Sequence, residues 1–190
     1  MANKVRFGLE NVHVCTYTVG SGGTVTLGTP VHVPGAVSMS LEPESEENTF
    51  YADNVKYYTS YSDNGYTGEL EMAEFPDSFK TAFMNYVSLT GGGVAQVKGM
   101  PNKDVCIIFE SKGDAEHRRG ILYNVALGAI TREYSTTTET TEPVTATLAF
   151  TVNGDNATGI TQAAYGEEAT AYSTIFTAPP VPALPSATTN

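Results

Sequence analysis

Residue types that perform catalysis are present in this chain, but their spacing predicts neither an active site nor a metal site. The histidines, His13, His32 and His117, are far apart in sequence, and none has a second ligand at the spacing of a zinc motif. His13 alternates with strand residues, which indicates an ordinary position on the face of a sheet. His117 precedes two arginines, and this small basic spot favours a subunit contact or a solvated charge over a catalytic base.

Neighbouring carboxylates are common, as at Glu46 and Glu47 or at Glu69 and Glu71. A glycosidase holds two such groups about 5–10 Å apart across a sugar cleft, but an acid-rich chain offers many pairs that only face water. The sequence contains no nucleophile elbow and no phosphate loop. The acids near Asp63 and Asp155 lack the residue order of an EF-hand, so we interpret them as turns. We therefore expect a protein that is not an enzyme and uses no cofactor or metal.

The charge balance excludes further classes of protein. Ten Lys and Arg against 21 Asp and Glu give a formal net charge of −11. Affinity for duplex DNA comes largely from cations that neutralise phosphates, which argues against a general DNA-binding protein. No apolar run reaches the length of a membrane span, and residues 1–6 lack the apolar core of a signal peptide. Without a secretory route, Cys15 and Cys106 are expected to be buried free thiols.

Alternation of apolar and polar residues predicts strands along most of the chain. Val37, Met39 and Leu41 alternate in this way, while the apolar run 105–109 is typical of a strand that is buried on both faces. Turn signals divide the chain into about eight to ten such strands, the last of them expected over Thr170 to Thr177. This pattern predicts a mainly β protein with the architecture of a sandwich or barrel.

Turn signals mark the connections between the predicted strands. Gly20–Gly23 supplies the positive φ values that a hairpin needs, and Ser62–Gly65 contains Asn-Gly, the strongest short hairpin signal. Glu42–Glu47 contains a proline and predicts an acidic loop. The polar stretch at about 42–66 is too long for a tight turn, so we expect a long loop there.

The chain ends in a segment of different composition. Residues 178–190 contain four prolines and cannot join the interior of a sheet. We therefore expect one β domain over residues 1–177 and a proline-rich tail over 178–190. Within the domain, Ser135–Pro143 is a Ser, Thr and Glu run that is too polar to pack inside.

One short helix is expected at about residues 76–88. Pro76 suits the first helical turn, and Asp77 complements the positive end of the helix dipole. Four side chains then recur at helical spacing on a single apolar face: Phe79, Ala82, Phe83 and Tyr86. A helix this short depends on packing that face against a sheet.

Tyrosines are concentrated in one part of the sequence. Five of them fall within sixteen positions: Tyr51, Tyr57, Tyr58, Tyr61 and Tyr66. In a monomer such residues can cover the edge of the core, since each has an apolar ring and a polar hydroxyl. Tyrosine is also enriched at protein interfaces. Composition leaves both interpretations open.

Blocks of residues along most of the chain resemble the major tail protein, or tail tube protein, of phages with long non-contractile tails, particularly those of Gram-positive hosts. The blocks are residues 3–13, 34–37, 50–54, 64–71 with 75–79, 118–125 and 141–148. The block at 64–71 with 75–79 is the most specific of them. Residues 91–103 and the proline-rich end depart from the family pattern, so no role is carried over to them.

The resemblance implies a structural virion protein with a β-sandwich or barrel flanked by a helix. Members of the family form hexameric rings that stack into the tail tube, and they assemble in the cytoplasm of the bacterial host. Tape-measure protein fills the lumen during assembly, and tail-terminator and distal tail proteins bind the ends. Double-stranded DNA later passes through the tube without specific binding, for which an acidic lumen is suitable.

The tyrosine-rich stretch is our candidate for contacts between rings or subunits, because it is polar, long and lies between two strands. The candidate contact residues are Asn48, Phe50, Tyr51, Asp53, Asn54, Tyr57, Tyr58 and Tyr61. Two other functions remain open on the sequence. One is the tube protein of a contractile tail or related injection machine, and the other is a β-sandwich carbohydrate-binding or adhesin module.

Overall fold

One antiparallel sheet, curled around an apolar core, makes up most of the structure, which is a computed structural model that describes residues 8–113, 116–134, 136 and 144–185. Within these residues nine strands form the sheet, and two short strands form a separate hairpin. In chain order the elements are β1 (Leu9–Val19), β2 (Val25–Leu27), β3 (Val31–His32), β4 (Ala36–Ala52), β5 (Val55–Met72), α1 (Asp77–Phe83), β6 (Tyr86–Ser88), β7 (Val94–Gln96), β8 (Val105–Ser111), β9 (Arg119–Arg132), β10 (Ala146–Val152) and β11 (Gln162–Tyr165).

The long strand β9 belongs to both halves of the sheet. Its Val125 pairs with Val105 of β8 on one edge and with Val152 of β10 on the other. The strand order is β2-β1-β8-β9-β10-β5-β4, with β3 beside β1 and β11 beside β9. The sheet curls so far that the backbone of β4 comes within 8 Å of β1. The predicted mainly β, sandwich-like or barrel-like fold with one helix is therefore confirmed.

The main core fills the inside of this curl. Apolar side chains from both halves of the sheet meet there, including Val14, Leu70, Leu122 and Leu148. Aromatic rings close one side, with ring centroids 5.4 Å apart between Phe75 and Phe79 and 5.5 Å apart between Phe79 and Phe83. The helix thus covers the core, which compensates for its low intrinsic stability.

Helix α1 is shorter than the sequence predicts. It ends at Phe83 rather than near residue 88, because the chain becomes extended at Met84 and Tyr86 begins strand β6. The side-chain oxygen of Asn102 accepts a hydrogen bond from the Asn85 backbone N–H at 2.9 Å, which fixes the chain in this non-helical course. Of the predicted helical face, Phe79 and Phe83 are buried on α1, while Ala82 and Tyr86 are partly buried and pack against the core.

A second, smaller core lies on the outer side of β1, β8 and β9. Cys15 and Cys106 stand directly opposite each other there, and both are buried free thiols, as predicted. The expectation of a last strand over Thr170 to Thr177 is wrong, because this segment is a series of turns whose hydrogen bonds span mostly three residues. Strands β8, β10 and β11 already occupy both edges of β9, so the segment covers the second core with Ile175 instead of pairing.

Two turn signals have different outcomes. The hairpin at Gly20–Gly23 is confirmed, with hydrogen bonds that close it between β1 and β2. The hairpin predicted at Ser62–Gly65 is wrong, because this segment lies within β5. Its Asn64-Gly65 pair forms a bulge opposite β4. Gly65 has φ +90°, and a side chain there would lie 2.2 Å from the Val152 carbonyl oxygen.

The reversal between β4 and β5 occurs instead at Asp53 and Asn54. Both residues have positive φ, 52° and 61°, as a two-residue hairpin turn requires, and both residue types tolerate this conformation. The expected acidic loop at Glu42–Glu47 is therefore part of strand β4, and the stretch at about 42–66, expected to be a long loop, consists of the paired strands β4 and β5 on either side of this turn. The predictions for residues 1–7, 135, 137–143 and 186–190 lie outside the described residues. Within the described part of the chain, no helix has the length and apolarity to cross a membrane.

Truncation of the helix face tests this packing. Phe83 is 3% exposed, so Phe83→Ala is expected to lower the free energy of unfolding by about 3–5 kcal/mol. Urea denaturation of the unassembled protein measures this loss. Leu184→Ala, at a position where 62% of the residue is exposed, is the matched control and is expected to leave the midpoint unchanged. Equal midpoints for the two variants would show that Phe83 is not a core residue.

Candidate assembly surfaces

Strands β4 and β5 are much longer than their neighbour. They pair with each other along nearly their whole length, but β10 pairs only with Tyr66–Met72 of β5. We call the remainder, residues 44–65, the projecting hairpin. At about 3.3 Å per residue its eight paired positions from Ser45 to Ala52 extend about 26 Å beyond the sheet. The bulge at Asn64-Gly65 marks the point where it leaves the sheet.

The projecting hairpin exposes large aromatic side chains on both of its faces. Phe50, Tyr51, Tyr57, Tyr58 and Tyr61 are between 61% and 74% exposed. Phe50 and Tyr58 are cross-strand partners on one face, and Tyr61, opposite Glu47, lies on the other. A two-stranded hairpin is only marginally stable alone in water. Exposed aromatic clusters of this kind mark protein interfaces.

Every candidate contact residue from the sequence lies on the projecting hairpin. Asp53 and Asn54 form its tip, and Asn48 pairs with Ser60 midway along it. Tyr66 is different, because it is half-buried at the base of the hairpin and packs against the main core. The tyrosine cluster thus divides into one core-edge residue and four exposed ones.

The projecting hairpin is also acidic. Its five acids, Glu44, Glu46, Glu47, Asp53 and Asp63, and its single Lys56 give a formal charge of −4. The Lys56 amine forms an ion pair with Glu47, and the Thr49 hydroxyl donates to the same carboxylate at 3.0 Å. These hydrogen bonds hold the pKa of Glu47 below its usual range. Glu44, Glu46 and Asp53 remain exposed.

A second surface is the outward side of β4, β5, β10 and the end of β9, which we call the acidic face. Its side chains are small, hydroxyl-bearing or acidic, and none of them is Lys or Arg. They are Ser38, Ser40, Glu42, Thr67, Glu69, Glu71, Thr147, Ala149, Thr151, Ala126 and Thr131. The hydroxyls of Ser38 and Thr145 donate to Glu71 at 2.8 and 2.6 Å, and these bonds lower its pKa. The Glu71 carboxylate therefore keeps its negative charge at neutral pH.

The sequence contains a sign of the acidic face, although we interpreted its neighbouring carboxylates as pairs that only face water. Glu69 and Glu71 are two positions apart, which places both on one side of a strand. The same spacing separates Ser38, Ser40 and Glu42 on the adjacent strand. The sequence did not show that β10 and the end of β9 continue this face beside β5, because that pairing exists only in the folded sheet.

The sheet ends in edge strands. Among the described residues, no further strand pairs with the outer edge of β4, and β2 and β3 form the opposite end of the sheet. Edge strands present backbone N–H and C=O groups that a strand of another molecule can pair with. Their presence at both ends of one sheet suits a chain that joins copies of itself.

Of the residues that could perform catalysis, the structure brings His13 and His32 together, opposite each other on β1 and β3. His13 lies on β1, with its ring 4.9 Å from that of His32 and 4.6 Å from that of Phe176. Burial is the main cause that lowers the pKa of His13. Within the described part of the chain, no group of three His, Cys, Asp or Glu residues is placed to hold a metal ion.

Of the two acids interpreted as turn residues, Asp155 begins a turn, as predicted, whereas the interpretation is wrong for Asp63, which lies within strand β5. Asp63 accepts a hydrogen bond from the Gly65 N–H at 3.2 Å within the bulge. Asp155 is buried and accepts hydrogen bonds from the Tyr17 hydroxyl at 2.9 Å and from Thr158. Burial alone raises the pKa of Asp155, but these hydrogen bonds together hold it below its usual value. The carboxylate is therefore a fixed part of the turn before β11.

Comparisons with known proteins found a family and a solved structure to which this chain is similar. Residues 2–181 match the model of a family described as phage tail tube protein. The chain also matches the cryo-EM structure of the tube-terminating cap of the anti-feeding prophage, with 13% identity, a TM-score of 0.46 and coverage of 87% of this chain and 95% of the cap chain. No curated protein matches at a significant level. Because the family match spans nearly the whole chain, this protein belongs to the phage tail tube protein family and is a structural component of a phage tail.

Proposed function

We propose that this protein forms hexameric rings that stack into the tail tube of a long, non-contractile-tailed phage of a Gram-positive host, and that the tube is the conduit for DNA ejection. The observation that carries the proposal is the projecting hairpin. It extends about 26 Å from the sheet and exposes aromatic rings on both faces. Such a structure needs a partner on each side, and a second copy of the chain in an adjacent ring provides one.

Ring closure is supported by the edges of the sheet. The β4 edge of one subunit can pair with the β2 and β3 edge of the next, so that each ring continues the sheet around a common axis. A contact between two different surfaces repeats in one direction and closes when the rotation per subunit divides a full turn. Six copies then leave no free edge.

The acidic face is our candidate for the lumen surface. DNA carries one negative charge for about every 1.7 Å of its length, so a wall rich in small hydroxyls and carboxylates repels it. Glu42, Glu69 and Glu71 supply that charge, without a Lys or Arg on the same face. Tape-measure protein occupies this channel during assembly in the host cytoplasm, and tail-terminator and distal tail proteins bind the ends of the tube.

Loss of exposed rings from the projecting hairpin is expected to block stacking. The double variant Tyr57→Ser/Tyr61→Ser should fold normally, because both side chains face solvent. It should remain as rings or monomers in negative-stain electron micrographs under conditions in which the unaltered protein forms tubes. Tyr134→Ser removes an exposed ring outside the hairpin and is the control.

Normal tubes from the double variant would contradict this role of the hairpin. Deletion of residues 46–61, with a short Asn-Gly turn in their place, extends the test to the whole element. A stable monomer that binds glycans through these tyrosines and never forms rings or tubes would favour the adhesin alternative instead.

Charge reversal on the acidic face is expected to make assembled tubes bind DNA. Glu42→Lys/Glu69→Lys places cations where we expect the lumen, and co-sedimentation of tubes with short duplex DNA should rise at low salt and fall as salt increases. Glu167→Lys/Glu168→Lys makes the same change in charge at exposed positions near β11. DNA retention by the control equal to that of the first variant would show that the acidic face does not line the lumen.

A further inference from the structure

The segment between α1 and β8 has a charge opposite to that of the rest of the protein. Residues 78–103 contain no Asp or Glu but three lysines, in a chain whose net charge is −11. Lys80 is used within the fold, where it forms ion pairs with Glu74 and Asp77 at 3.2 and 3.0 Å. The remainder, residues 84–103, comprises β6, β7 and their connections, and we call it the connecting segment.

The connecting segment exposes apolar side chains beside its cations. Leu89 is 52% exposed and Met100 is 40% exposed, and Val87 and Val97 are also exposed. Lys98 is exposed next to Val97. An exposed apolar group with positive charge at its border has the composition of a protein interface.

Hydrogen bonds hold the connecting segment in a fixed shape against the core. The Asn102 side chain accepts from the Asn85 N–H at 2.9 Å and donates to the carbonyls of Leu127 and Gly128 at 2.8 and 3.2 Å. The Asn85 side chain donates to the Val97 carbonyl at 3.2 Å. A surface that is already ordered loses little conformational entropy when a partner binds.

The connecting segment and the tip of the projecting hairpin follow opposite ends of β5. The tip adjoins Val55, whereas the chain that leads to α1 leaves from Met72, up to about 59 Å away at 3.3 Å per residue. Arg132, at the end of β9, donates to Glu74 at 3.0 Å, and Lys80 pairs with the same carboxylate. These contacts fix the start of α1 at the end of the sheet that is remote from the tip.

We propose that the connecting segment is the surface on which the projecting hairpin of a second copy docks, in the adjacent ring. This inference rests on the proposed stacking of rings. The hairpin carries a formal charge of −4 with exposed aromatic rings, and the connecting segment carries +2 with exposed aliphatic side chains. Of its two cations, Lys103 donates to the Ala82 carbonyl at 2.6 Å, which leaves Lys98 as the main candidate for the contact. Charge complementarity of this kind sets the register and speeds association.

The other cations of the described chain are less suitable partners for the hairpin. Arg118 pairs with Glu116. The Arg119 guanidinium lies over the rings of Tyr172 and Phe176, 3.9 and 4.7 Å from their centroids, and donates to the Tyr172 carbonyl. Lys112 lies 3.9 Å from Glu10. The connecting segment is therefore the surface that combines exposed positive charge with exposed apolar groups.

Docking in this way joins two different surfaces and produces an open-ended stack. The tip of each copy engages the remote end of the next, so the contact repeats along one direction without closing. A tube needs this arrangement along its axis, just as it needs closure around the axis.

Cross-linking tests the contact directly. A chain with Val55→Cys at the hairpin tip and Thr90→Cys in the connecting segment, both at exposed positions outside the proposed aromatic and apolar contacts, is treated as assembled tubes with a short bismaleimide and is expected to give covalent products larger than a hexamer. The native Cys15 and Cys106 are completely buried and should not react. Val55→Cys with Leu184→Cys is the matched control and is expected to give no such ladder. Well-formed tubes of the first variant without these products would overturn the proposal.

Charge reversal gives an independent test. Lys98→Glu is expected to reduce the yield of tubes at least tenfold without a change in the melting temperature of the unassembled protein, whereas Lys112→Glu should assemble normally. Reversal of hairpin acids in the same chain, Glu44→Lys/Glu46→Lys, is expected to restore tubes to Lys98→Glu.

Normal tubes from Lys98→Glu would overturn the docking site and leave the proposed function intact. Failure of the unaltered protein to form rings or tubes would overturn the proposed function itself. Duplex DNA binding by the unassembled protein that Lys98→Glu abolishes, with tubes unaffected, would instead identify a nucleic-acid contact and overturn the proposal.

Discussion

The mismatch in length between β5 and β10 is the constraint on which the rest of this structure depends. β5 has 18 residues and β10 has 7, so the sheet supports less than half of β5 and leaves the remainder to pair with β4 alone. The two strands of the hairpin hydrogen-bond to each other, but neither of its faces is covered. The aromatic residues on both faces are therefore the part of the fold that remains incomplete in a single copy.

Much of the fold follows from the sequence because its cause is local. The alternation at Val37, Met39 and Leu41, the glycines at Gly20–Gly23 and the apolar spacing of Phe79 and Phe83 are recognisable without tertiary information. The errors occur where distant residues decide the outcome. Asn64-Gly65 has the signature of a hairpin turn, but it forms a bulge in β5 instead. Glycine is needed there because the Val152 carbonyl approaches too closely for a side chain. Thr170–Thr177 has strand composition, but the edges of β9 are already occupied.

The candidate site also has features that follow from local sequence and features that distant residues decide. The sequence located the tyrosine-rich stretch and its acids, but it left open whether the rings cover a core edge or an interface. The structure assigns Tyr66 to the core edge and leaves the other rings exposed, because β10 reaches Tyr66 and goes no further. The sequence did not predict the acidic face for a related reason. Its carboxylates lie on two strands that are adjacent to each other but separated in sequence by the whole projecting hairpin.

Net charge alone does not distinguish the roles of these acids, but their local pattern does. Glu69 and Glu71 alternate along a strand among small hydroxyl side chains, so their charge lies on one face of the sheet, where it repels other negative charge. The acids of the projecting hairpin lie among exposed aromatic rings, so this surface is complementary to one that combines apolar side chains with positive charge. The connecting segment, without an acid between Asp77 and Asp104, is the part of the described chain with that composition. In the docking that we propose, opposite charges meet, so the net negative charge of the chain disfavours approaches of two copies that bring acidic surfaces together.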